Sequence, residues 1–192
     1  MKNIFRVSTF YLTAGLVMHL GCNTPKPKTT FSVDHPGVEA ILSAFDESDY
    51  YEKCRKFILT EGRLGQDYYF SIEGRDLKAI KISYLGDIVT SKSDTLRVLN
   101  SINYWGASVG SMHATGRVFI YNSQNKRLGQ YYVGGAIDLP SKVDNGSLVF
   151  SYANDRCDQT TFVSLRDSIP KQIFVSCTNH GGDIYTFTND YF

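Results

Sequence analysis

Lys78-Ala79-Ile80-Lys81-Ile82-Ser83-Tyr84 is the stretch that decides the fold class of this chain. Ile80, Ile82 and Tyr84 recur at every second position, with Lys81 and Ser83 between them. A period of two puts alternate side chains on opposite faces, the pattern of a half-buried β-strand. Upstream, residues 68–73 read as another strand, closed by Gly74-Arg75-Asp76. Downstream, Gly86-Asp87 reads as a turn into a short strand at 88–91. Residues 96–104 fit either a strand or a short helix.

Further along, residues 117–121 and 129–133 flank Asn122-Ser123-Gln124-Asn125-Lys126, a hairpin-loop composition. Strand-like segments follow at 148–152, 160–165, 172–178 and 184–188. Asn145-Gly146, Asn154-Asp155 and Gly181-Gly182 punctuate them. Short strands joined by such turns predict an antiparallel sandwich or barrel of about eight strands. No repeat of fixed period is present, which argues against propellers and solenoids.

The segment before the strands is helical in pattern. Asp34-His35-Pro36-Gly37 is a helix entry, and Val38, Ile41, Leu42 and Phe45 follow at helical spacing. Asp46-Glu47-Ser48-Asp49 interrupts that stripe, and Ser48 or Asp49 is expected to cap a second helix. Tyr50, Cys54, Phe57 and Ile58 form its apolar face, and the Gly62–Gly65 region ends it. The expected fold is therefore α+β and mainly β. An N-terminal helix or helix pair packs on an antiparallel β-sandwich or barrel, within one domain over residues 34–192.

Residues 1–22 carry an address. A basic start, Met1-Lys2-Asn3-Ile4-Phe5-Arg6, precedes a mostly apolar run over 7–20 and then Gly21-Cys22. The run is short for a bilayer span and holds Ser8, Thr9, Thr13 and His19. This order resembles the signal peptide of a bacterial lipoprotein, with small Gly21 before the cysteine. His19 stands where that pattern prefers an aliphatic residue. The resemblance covers residues 1–22 alone. It implies that 1–21 is a signal peptide and that Cys22 becomes a lipidated N-terminus. Residues 22–33, polar and Pro-rich, form the expected tether. The implied location is the bacterial cell envelope, lipid-anchored, at the outer membrane facing the periplasm or on the surface. The membrane is then a partner through the lipid.

Composition limits the functions. With 20 Lys plus Arg against 19 Asp plus Glu, charge is balanced, and no basic patch suited to nucleic acid is visible. An aromatic fraction of 14%, with 13 Tyr and 12 Phe, fits a strand-rich fold. Four cysteines are present. With Cys22 lipidated, three remain in an oxidising compartment, enough for one internal disulfide. If 160–165 and 172–178 form a hairpin, Cys157 and Cys177 lie at the same end of neighbouring strands and can pair. Cys54 is expected to be a buried thiol.

Gly106-Ala107-Ser108-Val109-Gly110 matches the G-x-S-x-G elbow of α/β-hydrolases, and His180 follows it. That motif exposes a serine where a strand turns into a helix. Here a strand is expected to follow, so Ser108 is expected to be inert. Cys177-Thr178-Asn179-His180 with Asp183 groups metal-ligand residue types, but no second Cys/His cluster completes a structural zinc set. No catalytic residue, metal or cofactor is therefore expected. Tyr104, Trp105 and His113 lie amid glycine and serine, a composition suited to recognition, and they are the candidate binding residues. The leading expectation is a non-enzymatic binding or inhibitor-type module. The alternatives are a secreted serine hydrolase using Ser108 and His180, or a structural envelope component.

Overall fold

The computed structural model describes residues 47–72, 77–107, 111–154 and 157–189. Cys22, the tether and the first expected helix lie outside the described residues. Among those described, one helix, α1 (Glu47–Glu61), precedes ten strands. These are β1 (Asp67–Ile72), β2 (Leu77–Val89), β3 (Thr95–Gly106), β4 (His113–Asn122) and β5 (Arg127–Gly134). Then follow β6 (Lys142–Asp144), β7 (Ser147–Ser151), β8 (Thr160–Ser164), β9 (Gln172–Thr178) and β10 (Gly181–Thr188). A short 3-10 turn, Ala136–Asp138, links β5 to β6.

The alternation at the centre of the sequence sets the layers. Ile80 and Ile82 are fully buried beneath α1, together with Tyr68, Phe70, Leu99, Phe119 and Tyr121. From α1 come Tyr50, Cys54, Ile58 and Leu59, spaced as an amphipathic stripe. The intervening residues Val98, Val118 and Ile120 face the other way. There they meet Leu148, Phe150, Val163 and Leu165 in a second core. A seven-stranded sheet, ordered β1-β2-β3-β4-β5-β10-β9, thus has α1 on one face and the sheet β6-β7-β8 on the other. Every ladder is antiparallel.

Several expectations need correction. Among the described residues the strands number ten where about eight were expected, and no barrel closes, because β1 and β9 end the large sheet. Helix α1 starts at Glu47, so Ser48 and Asp49 lie inside it instead of capping it. Gly86-Asp87 is not a turn. Strand β2 runs through it with a register shift between Tyr84 and Gly86. Gly86 takes φ +120°, which a glycine tolerates without strain, so its signal was that of a β-bulge. The bulge re-aims β2: Ile80 and Ile82 serve the helix side, while Leu85 and Ile88 serve the second core.

Residues 160–165 and 172–178 do not form a hairpin either. β8 pairs with β7, and β9 pairs with β10. Backbone groups in the connection are engaged elsewhere. Ser91 N–H donates to Arg166 O at 2.8 Å, Tyr131 hydroxyl to Pro170 O at 2.6 Å, and Phe187 N–H to Lys171 O at 2.8 Å. The two strands still lie side by side, since Ser176 N–H donates to Thr161 Oγ1 at 3.0 Å. Cys157 and Cys177 form a disulfide across this seam, with Cα atoms 4.4 Å apart. The bond therefore ties one sheet to the other. The hairpin at Asn122–Lys126 is present as expected, with Asn122 Oδ1 accepting from the N–H groups of Gln124 and Lys126.

Candidate functional site

The face of the large sheet away from α1 is not apolar throughout. Across β1, β2 and β3 it carries the cross-strand row Asp67, Ser83 and Asn100. One step along, Tyr69, Lys81 and Ile102 are paired. The segment after β5 then folds over this part of the sheet. Gly134 takes φ +86° and lets the chain leave β5 sharply. Asp138 Oδ2 accepts from Gly135 N–H at 2.8 Å and fixes the 3-10 turn. Ser141 ties the far end down, donating from its N–H to Val149 O at 2.8 Å and from its Oγ at 3.1 Å.

Between sheet and segment lies a cleft of about 260 Å³. Asp67, Lys81, Ser83, Asn100 and Ser141 supply its polar lining, and Leu85, Ile102, Leu139 and Pro140 its apolar lining. Exposed Gly65, Ala136 and Ser141 border its mouth. Lys81 Nζ bonds Asp67 Oδ2 at 2.8 Å, and Ser83 Oγ donates to Asp67 Oδ1. Partial burial alone would raise the Asp67 pKa. The hydrogen bonds from Lys81 and Ser83, with the charge of Lys81, outweigh it and hold the carboxyl below its usual range. Burial pulls the Lys81 ammonium down, but Asp67, Tyr69 and Tyr104 together leave it above its ordinary value.

Asn100 is the unusual member. Its side chain is nine-tenths buried, and its Nδ2 donates to Pro140 O at 2.7 Å. Because a proline carbonyl can only accept, the amide cannot be turned round. Its Oδ1 is therefore the free acceptor of the amide, and it is buried with no hydrogen-bond partner. An acceptor left so costs roughly 1–3 kcal/mol.

The sequence-predicted trio is split by the pleat. Neighbours in a strand face opposite ways. Tyr104, opposite Ala79 and Ala114, shares the cleft face of the sheet. Trp105 and His113 are cross-strand partners on the helix face. Their rings stack with centroids 5.7 Å apart, and Trp105 is 41% exposed. These residues sit on strand ends, where sequence composition suggested a loop.

Ser108 lies outside the described residues. Among the described residues, the strands on either side of it are the antiparallel pair β3 and β4. His180 is exposed in the turn between β9 and β10. Cys177 is committed to the disulfide and offers no thiolate. Cys54 is wholly buried, and desolvation pushes its thiol up to about 12, so it is inert as a nucleophile.

A second polar cluster binds α1 to the sheet. Glu52 accepts from Arg55 at 3.1 Å and from the Tyr121 hydroxyl at 3.0 Å, and Arg127 stands 3.8 Å away. The Arg55 guanidinium lies 4.1 Å over the Phe119 ring. Arg117, over Tyr132, is held below its usual value by desolvation and by repulsion from Arg55 and Arg127. These charges answer one another across α1, β4 and β5, and they read as a structural clamp.

Comparisons with protein-family models, with curated proteins and with solved structures return no match to this chain.

Proposed function

We propose that this chain is a lipid-anchored cell-envelope protein that binds a small ligand in the cleft between β1–β3 and the Ala136–Ser141 segment, on a β-sandwich frame and without catalysis. One observation carries the ligand reading: Asn100, nine-tenths buried in the cleft lining, keeps an acceptor oxygen with no partner in the protein. Ligand pockets characteristically combine apolar walls with a few fixed polar groups, and this cleft does so. Its one hydroxyl–carboxylate pair, Ser83 and Asp67, is poorly suited to nucleophilic catalysis. Lys81 and Asp67 neutralise each other, and the carboxylate that accepts the Ser83 hydrogen bond is held below its usual range, which makes it a weak base. The anchor follows from the resemblance of residues 1–22 to a lipoprotein signal.

Amide shifts of the isotopically labelled mature domain against a library of small polar compounds test the ligand reading. Saturable shifts centred on Lys81, Ser83 and Asn100 are expected. Compounds that bind only elsewhere would remove the cleft as the site. The anchor has its own test. Cys22→Ser should move the protein out of the membrane fraction, and an unmodified N-terminus in the intact mass would refute it.

A further inference from the structure

Resting on the cleft being the binding site, we infer that its ligand is a neutral polyhydroxylated ring, a monosaccharide or the terminal sugar of a glycan. Charge is the first argument. Asp67 and Lys81 are paired at 2.8 Å, so the polar floor has no net charge to offer an ion. A ligand anion would compete with Asp67 for Lys81, and a cation would compete with Lys81 for Asp67.

Hydrogen-bond capacity is the second. Ser83 donates to Asp67 and so keeps only lone pairs for a ligand. Asn100 Oδ1 is a second acceptor, held in place by the bond from its amino group to Pro140 O. Beside them, Lys81 has an ammonium with three donors, and Asp67 takes one. Two acceptors next to a donor suit a group that both donates and accepts at adjacent positions. Vicinal hydroxyls do this. A carboxylate only accepts, a phosphate mainly accepts, and an ammonium only donates.

Shape is the third. Ile102, Leu139 and Pro140 give the cleft an apolar wall for a C–H face. Tyr69, 43% exposed, lies in the row of Lys81, whose Nζ stands 6.0 Å from its ring centre. Its ring offers a flat surface beside Lys81, next to the residues that line the cleft. A volume of about 260 Å³ falls just under the range of drug-sized pockets, roughly 300–1,000 Å³, and suits a single ring.

The test titrates the labelled mature domain with glucose, galactose, mannose and N-acetylglucosamine, and in parallel with inorganic phosphate and methylammonium. At least one sugar should give saturable shifts at the amides of Lys81, Ser83 and Asn100. Its affinity should fall at least tenfold in Lys81→Met and in Tyr69→Ala. The second variant alters an exposed residue beside Lys81 and keeps the test open if the first fails to fold. Shifts at these amides with phosphate or methylammonium but with no sugar would overturn the sugar assignment and leave the cleft a binding site. Silence from every probe, with only a water on Asn100 Oδ1 in crystals soaked in the same compounds, would overturn both readings.

Discussion

Asp67 answers two neighbours at once, and that fixes how it responds to pH. Its folded pKa lies below the usual value, so its contribution to stability is complete above about pH 4 and is lost as the pH falls through the folded value. Lys81 is shifted up, so its contribution holds below about pH 10 and fades above the folded value. Both groups are partly solvated, and at neutral pH the pair is worth at most about 1 kcal/mol. Asp67→Asn should therefore cost little at pH 7. It should also flatten the decline in stability between about pH 5 and pH 2. Urea midpoints measured across that interval for both proteins decide it, and parallel declines would show that the carboxylate is not held as described. Trp105 gives a second expectation at this scale. Being 41% exposed and stacked on His113, it contributes a surface cross-strand contact. Trp105→Ala should cost no more than about 1 kcal/mol, and acrylamide should quench the native fluorescence. A loss of roughly 3–5 kcal/mol, the cost of truncating a core aromatic, would mean the residue is shielded. At the level of residues the sequence exposed only part of the site. Tyr104 and Trp105 look like one feature, but the pleat sends them to opposite faces. Asn100 left a usable trace, a lone polar residue between Val98 and Ile102 on one strand face. A polar group at an apolar position is informative because burial obliges it to find a partner. Lys81 and Ser83 left none, since they occupy what alternation alone reads as a solvent face.

Helix α1 shows how an element is held by more than its apolar stripe. Tyr50, Cys54, Ile58 and Leu59 bury its inner face, as their spacing predicts. Arg55 is also buried, 5% exposed, and donates from Nε to the Tyr121 hydroxyl at 3.2 Å as well as to Glu52. Arg55→Ala removes the donor to the Tyr121 hydroxyl, and it leaves Glu52 with that hydroxyl and the more distant Arg127. The loss of these charge-assisted bonds should cost about 1.5–3 kcal/mol. Arg55→Lys should recover only part of it, because an ammonium lacks the planar fork that stacks on Phe119. Chemical denaturation of the two variants checks this, and equal stability of Arg55→Ala and the parent would dismiss the clamp. Elements with strong local chemistry were readable before the structure: the alternation of β2, the Asn122 hairpin loop and the stripe of α1. The Gly86 bulge has the sequence signal of a turn, since glycine at positive φ serves both and only the pairing of β2 with β3 distinguishes them. Strand β6, three residues long, is too short for periodicity to mark.

At the scale of the molecule, the two sheets meet through one core and one covalent bond. Which strands share a sheet was not legible, because that is decided by long-range partners for backbone groups. The chain from β8 to β9 has the length of a hairpin, yet its carbonyls go to Ser91, Tyr131 and Phe187, and the strands enter different sheets. The disulfide was legible all the same, because its argument needed only that β8 and β9 run side by side. Cys157 and Cys177 are separated by 20 residues. Closing a loop of that size restricts the unfolded chain by about 3 kcal/mol on the chain-entropy account. The double variant Cys157→Ser, Cys177→Ser should lose that much stability, and for a domain of this length the melting temperature should fall by roughly 6–12 °C. Reduction of the parent protein should produce the same shift. The cleft, in contrast, is framed by β1, β2, β3 and the segment ending at Ser141, none of which carries a bridged cysteine. The folded double variant should therefore keep the parent pattern of amide shifts in the cleft at temperatures well below its own transition. A drop in melting temperature with the cleft unchanged would separate the seam from the site. Collapse of the cleft signals in the folded variant would show instead that the small sheet, through Val149 and Ser141, sets the wall of the site.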